Sequence, residues 1–343
     1  MASNLLKLHL QTIKTTKPST PFPHSKTPLT SLPFHSHQNL LHQHQHQHHS
    51  HVSFFPPTLH HKPISIHSSL SSSYTPPTSK EEAILQAKTC LSTTLEKPLN
   101  NPKLVGKLKK LKQPRFRIEI PVIDDSSASL SQLAFNVFQD LPIKRKGSPV
   151  KLLILWPNLT LTEAAIKAFQ TQNSANQIEN IDISSVTNAD TNILNSADVA
   201  VFLAPEASQL AVIKTVTESF YPKPVVIFNP KWVFEEESNF GELSGFVGSF
   251  EVVYSFMGLE VRGVLSKRKG VVFKCVRDGV VSGEKWTILV EEEGELKVIM
   301  RFKVRPSIGE VENVLYNLMA INSPITKSAK FFRGLVSNVT GKK

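Results

Sequence analysis

The chain has 343 residues, 39 Lys and Arg against 28 Asp and Glu, a formal net charge of +11, 13 histidines and two cysteines. All 13 histidines and six of the lysines lie within residues 1–80, which contain no Asp, Glu or Arg; without that stretch the charges stand at 33 to 28, a net +5. The remainder has no imidazole and no Cys-x-x-Cys, so histidine acid–base chemistry, histidine metal ligation and a dithiol redox motif are excluded from it.

Residues 1–79 are rich in Ser, Thr and Pro, acid-free and weakly basic, the composition of a plastid transit peptide and disordered leader. The His and Gln run within it also reads as a weak metal-binding tract. No apolar run approaches the ~20 residues of a membrane-spanning helix. Cys90 and Cys275 read as two buried or idle thiols, with a disulfide between them left open.

Ordered structure is expected from Ser79. A capping box, Ser79-x-x-Glu82, opens a helix with Ala83, Ile84, Ala87 and Leu91 on one side. The basic connector over 97–117 carries Lys97, Lys103, Lys107, Lys109, Lys110, Lys112, Arg115 and Arg117, and reads as a solvated loop or a patch for acidic or phosphate-bearing partners. Alternation in Arg115-Phe116-Arg117-Ile118-Glu119-Ile120 predicts a strand. Turn residues at 124–127 lead to a helix over 129–140 burying Leu130, Leu133, Ala134, Val137 and Phe138. After the break at Gly147-Ser148-Pro149 comes a strand over 150–156, then a second capping box, Thr160-x-x-Glu163. The Asn158-Leu159-Thr160 glycosylation signature is better read as part of that cap. A shorter strand is placed at 181–186.

Residues 195–232 organise the rest. Two apolar runs, 199–203 and 225–228, have the look of strands buried on both faces. Between them a helix over 206–220 presents Leu210, Ile213, Thr217 and Phe220 at three- and four-residue spacing. This is a βαβ unit, whose right-handed crossover puts a ligand crevice at the carboxyl ends of its strands. There Pro205 and Asn229 could meet a ligand and Trp232 could stack on one; the alternative is that Asn229-Pro230 is a structural turn.

Beyond Trp232 the pattern changes. Glu235, Glu236 and Glu237 form an acidic turn read as solvated, glycines follow at 241, 245 and 248, and 250–259 suits helix or strand equally. Strand candidates at 260–266, 271–276, 285–291 and 295–304, separated by turns at 267–270, 278–283 and 292–294, form an antiparallel meander. In the last, Leu296, Val298, Met300 and Phe302 are expected to pack while Lys297, Arg301 and Lys303 meet water. Ser307-x-x-Glu310 caps a final helix whose stripe, Val311, Val314, Leu315, Leu318 and Met319, reads as core packing. The basic tail over 326–343, with Phe331, Phe332, Leu335 and Val336, reads as a peripheral membrane or partner contact, or as a frayed end.

No Walker-type phosphate loop is present, and Gly241-x-x-x-Gly245-x-x-Gly248 lacks the close glycine pair of the dinucleotide fingerprint. The carboxylate runs at 235–237 and 291–293 fall in predicted turns. No catalytic residue, cofactor or metal ligand is assigned.

Ala204-Pro205 before a helix, Pro224-Val225-Val226-Ile227-Phe228-Asn229-Pro230 with Trp232, and Phe250-Glu251-Val252-Val253-Tyr254 ahead of long strands resemble a domain of unknown function shared by plants and cyanobacteria. That domain also occurs in the low-photosystem-II-accumulation protein 3 and as an extension of a chloroplast adenylate kinase. The resemblance covers most of residues 80–325 and implies a plastid location and, in at least one relative, assistance to photosystem assembly at the thylakoid. It carries no catalytic residues with it. The expectation is therefore an α/β protein: a mainly parallel sheet flanked by helices, then an antiparallel meander and a C-terminal helix, in a single domain over 80–325. Its expected role is that of a non-catalytic stromal factor contacting thylakoid or photosystem proteins. The alternatives are an enzyme or sensor of a small phosphorylated ligand at the strand ends, and RNA binding through the basic connector.

Overall fold

In the computed structural model, residues 11–12, 75–100, 112–121, 126–170, 176–187, 191–262 and 267–322 are described. Most of the leader, the middle of the basic connector at 101–111 and the tail from 323 lie outside the described residues. In chain order the elements are β1 (Gln11–Thr12), α1 (Lys80–Asn100), β2 (Arg115–Glu119), α2 (Ser127–Phe138), β3 (Lys144–Arg145), β4 (Ser148–Pro149), β5 (Lys151–Trp156), α3 (Leu159–Gln170) and β6 (Gln177–Asp182). They continue with α4 (Thr191–Ser196), β7 (Val199–Leu203), α5 (Leu210–Ser219), β8 (Val225–Phe228), α6 (Ser244–Val247), β9 (Glu251–Arg262), β10 (Lys267–Cys275), β11 (Trp286–Glu292), β12 (Glu295–Phe302) and α7 (Ile308–Asn322).

One sheet runs in the order β12-β11-β10-β9-β2-β8-β7-β5-β6, and β1 adds a short parallel pairing to Leu259 and Glu260 of β9. Every pairing from β9 to β6 is parallel and every pairing from β9 to β12 antiparallel. All residues of β7 and β8 are buried, as central strands covered on both faces require. The mixed sheet, the meander and the C-terminal helix are the architecture the sequence pattern implies.

One face of the sheet carries α1, α2 and α3 over a continuous apolar layer reaching from Phe273 of β10 to Ile154 of β5. Phe138, Phe228 and Trp156 are fully buried in it, each such side chain stabilising by about 2–3 kcal/mol. The opposite face is covered in two pieces. Leu210, Ile213 and Val216 of α5 and Phe220 just after it lie over β5, β7 and β8, while Val311 and Leu315 of α7 lie over β9, β10 and β11.

Local chemistry sets the helix starts. The Glu82 amide donates to Ser79 Oγ at 3.1 Å, and the Glu310 amide donates to Ser307 Oγ at 3.3 Å while the Ser307 amide donates to Glu310 Oε2 at 2.8 Å. The start of α3 differs from expectation: Asn158 Oδ1 accepts from the Leu161 amide at 3.0 Å, so Asn158 is the cap and Thr160 lies inside the helix. The break at 147–149 is a small hairpin, β3 with β4, turned by Lys146 and Gly147 at positive φ.

The C-terminal half settles one open segment and corrects two further expectations. The ambiguous 250–259 segment is strand, the first part of the twelve-residue β9. The expected turn at 267–270 lies within β10, where Gly270 pairs with Leu259; a Cβ there would sit 2.9 Å from the Leu289 carbonyl oxygen, so this glycine serves close strand approach rather than a turn. In β12 the alternation breaks. Register shifts between Ile288 and Leu289, whose partners are Met300 and Val298, so Ile299 is the extra residue of a bulge and packs inward. Val298 and Met300 are instead 48% and 44% exposed. The strand expected at 181–186 is β6, which begins earlier at Gln177 and gives way to a 3-10 turn, Ile183–Thr187.

Candidate functional site

The carboxyl rim of the parallel strands is where this architecture places a ligand, at the point where the connection of β5 runs outward to β6 and that of β7 runs back toward β8. There the Glu206 amide donates to Gln209 Oε1 at 3.0 Å and Gln209 Nε2 donates to the Pro157 carbonyl at 2.8 Å, tying the ends of β5 and β7 together. The two strands of the organising βαβ unit end in left-handed residues, Ala204 at φ 46° and Asn229 at φ 47°. Asn tolerates that conformation, and its side chain is used: the Ile120 amide donates to Asn229 Oδ1 at 2.7 Å, and Asn229 Nδ2 donates to the Ile120 carbonyl at 3.0 Å. The amide thus acts as one more residue of strand pairing between β8 and β2. Pro205 is buried beside it, its carbonyl accepting from the Lys231 amide at 2.9 Å.

The Trp232 ring is buried in the apolar cluster under α5, on the sheet face that also carries α7. It is 4% exposed, meets Phe240 edge-on at 5.9 Å, and donates from Nε1 to Glu237 Oε1 at 3.2 Å. This bond leads into a seam of charge between the two apolar clusters of that face. Arg117 and Glu119 sit two residues apart on β2, so both side chains point to the same side. Arg117 Nε lies 2.7 Å from Glu119 Oε1, and the same guanidinium pairs with Glu237. Arg305, just before α7, donates from Nη1 to Glu119 Oε1 at 2.9 Å, and Ser255 Oγ of β9 donates to Glu119 Oε2 at 2.6 Å. Aromatic rings wall the cations: Arg305 Cζ is 4.5 Å from the Phe234 ring centre and 5.1 Å from that of Trp286, and Arg117 Cζ is 6.0 Å from that of Trp232.

Burial alone would raise the Glu119 carboxyl; the Arg305 and Arg117 guanidiniums and the Ser255 hydroxyl outweigh it and hold the group at about 2, so it is an anion at neutral pH. Burial likewise works against the Arg117 cation, and Glu119 and Glu237 overcome it, raising its pKa. The seam thus pairs two cations with two anions. Beside it a groove of about 430 Å³ is lined by Phe234, Glu235, Glu237, Ser238, Ser244 and Ser307. Its carboxylates have partners: Glu237 holds Arg117 and Trp232, and Glu235 Oε1 accepts from the Ile308 amide at 3.0 Å at the start of α7. Among the described residues no group of three or more His, Cys, Asp or Glu is placed to hold a metal ion, and no helix is long and apolar enough to cross a membrane.

The sequence reading missed this seam. Arg117 falls both in the predicted strand 115–120 and in the basic connector, expected as a solvated loop or a patch for acidic partners, and Glu237 in an acidic turn expected to be solvated; both are buried. The available signal was Arg117-Ile118-Glu119 inside a predicted strand of a sheet expected to carry helices on its faces, where buried charges must find each other.

Among solved structures, the chain is similar to a KaiC-like protein from the hyperthermophilic archaeon Pyrococcus horikoshii at 7% identity, over 53% of this chain and 87% of that one, with a TM-score of 0.27, a likeness too slight to carry an argument. A comparison with curated proteins finds no match. The family model for the domain of unknown function DUF1995 matches residues 77–313, and the chain belongs to that family.

Proposed function

We propose that this protein is a non-catalytic chloroplast factor that assists the biogenesis or maintenance of a thylakoid complex by protein contact, in the manner of the photosystem-assembly relative that its sequence resembles. The observation that supports this reading is the edge strand β12. It pairs with β11 on one side only among the described residues, and it presents Val298, Met300 and the following Val304, 76% exposed, among exposed Lys297, Arg301 and Lys303. A backbone edge unpaired among the described residues, carrying exposed apolar and cationic side chains, fits an extended partner segment bearing acidic residues, added as a further strand. Edge lysines discourage indiscriminate pairing, so charge complementarity selects the partner. Asn229 at the rim, and Trp232, Glu237 and Glu119 in the seam, are engaged in holding strands and loops together.

The test is fractionation of chloroplasts from a line lacking the protein and from its complemented counterpart. The reading predicts lowered photosystem levels without the protein, and recovery of the protein with thylakoid complexes when it is restored. Normal photosystem levels together with no thylakoid association would overturn it.

A further inference from the structure

The two cysteines, 185 positions apart in sequence, meet in the apolar layer beneath α1, with Cys90 Sγ and Cys275 Sγ 3.4 Å apart. Cys90 lies on the inward face of α1 and Cys275 at the end of β10, 0% and 3% exposed. Neither supports the ionic seam, which lies on the other face of the sheet. Spacing alone gave no reason to pair them. Disulfide formation needs two sulfur atoms within an ångström or two of bonding distance, on elements that can close the remainder. Here the elements are held close by Gly279 in the turn after β10, where a Cβ would stand 2.7 Å from the Thr93 carbonyl oxygen of α1.

We propose that Cys90 and Cys275 form a modification site, a dithiol that disulfides of the glutathione class convert reversibly into an intramolecular disulfide fastening α1 to β10. The chemistry balances within that pair of reactants. Cys275 attacks one sulfur of the oxidant as the thiolate, releasing one reduced thiol and leaving a mixed disulfide. Cys90, 3.4 Å away, then gives up its proton, displaces the second thiol and closes the bond, so that two protein thiols are oxidised as one external disulfide is reduced to two thiols. Arg277, two residues on, stands beside Cys275 and favours its thiolate, while burial pushes the Cys90 thiol up, so the first attack falls to Cys275. Burial limits the first step to moments when the turn after β10 parts from α1; the second step is intramolecular and fast. Closing a loop of this length raises the melting temperature on the order of 10 °C. The proposal is independent of the contact function above.

The experiment equilibrates the full chain in glutathione buffers from fully reduced to fully oxidised, quenches in acid, alkylates under denaturing conditions and counts blocked thiols by mass. The expected result is a single transition in which both alkylatable thiols disappear together in monomeric protein, a peptide linking Cys90 to Cys275, and a melting temperature higher in the oxidised form. Cys90→Ala and Cys275→Ala each remove the transition and the melting shift. Two thiols still alkylatable in oxidised glutathione, a stable glutathione adduct on either cysteine, or a linkage between two chains would overturn the proposal. Should a variant fail to fold, the wild-type thiol count and linked peptide decide the matter alone.

Discussion

The two faces of the sheet are built on different terms. Under α1, α2 and α3 the layer is one continuous, close-packed apolar cluster with only scattered buried polar groups such as Ser131 and Thr162 on its helices, so it stabilises mainly by area and volume. The other face is split into a cluster under α5 and a cluster under α7, with Arg117, Glu119, Glu237 and Arg305 in the seam. Buried ion sets add little net stability against an apolar replacement, yet removing one member is costly because its partners stay buried. The comparison teaches that the first face supplies the cohesion of this fold, while the second sets how the β8–β9 connection and the start of α7 dock on the sheet.

The largest expected effect falls on the seam. Glu119→Gln leaves two guanidiniums facing each other with one carboxylate, and should lower unfolding free energy by about 3–5 kcal/mol in a denaturant titration. The same group gives the sign of a pH effect. Its folded pKa of about 2 lies below the unfolded value near 4.5, so its contribution is fully present above pH 4.5 and is lost as pH falls from there through 2. That contribution is about 3 kcal/mol, and Glu119→Gln should flatten the stability profile over this window. A profile unchanged by the substitution would dissolve the contrast between the faces.

Next is Asn229→Ala, which orphans the amide and carbonyl of Ile120 and puts a less tolerant residue at positive φ; a loss of about 2–3 kcal/mol is expected. On the apolar face Phe138→Leu should cost about 1–2 kcal/mol, a loss independent of pH between 2 and 5, since only packing is removed. Smallest is the edge: Val298→Glu with Met300→Glu should shift stability within about 0.5 kcal/mol, because both side chains already meet solvent.

Against these expectations the legibility of the sequence can be judged residue by residue. The βαβ unit was readable because 199–203 and 225–228 are buried on both faces, which writes itself as uninterrupted apolar runs. The capping boxes at Ser79 and Ser307 were readable because their bonds are local. The seam was not, because Arg117, Glu237 and Arg305 come from three separate stretches and each alone resembles an ordinary surface charge. Gly270 misled for a related reason: glycine marks turns in sequence, while here it admits the neighbouring strand. The bulge at Ile299 was announced only by the apolar run Val298-Ile299-Met300, which interrupts the alternation of β12 and which the two-faced reading of that strand passed over. Of the rim residues, Pro205 and Asn229 were placed at the strand ends as expected, and what the sequence concealed was the fit of the Asn229 amide to the backbone of Ile120.

The proposed contact role is tested most directly by restoring, in a photosynthetic line lacking this protein, either the wild-type chain or the Val298→Glu, Met300→Glu variant, and measuring photosystem levels while confirming by melting temperature that the variant is folded. The account predicts recovery with the wild type and little or none with the folded variant. Equal recovery with both would contradict it and move the site of action away from the β12 edge.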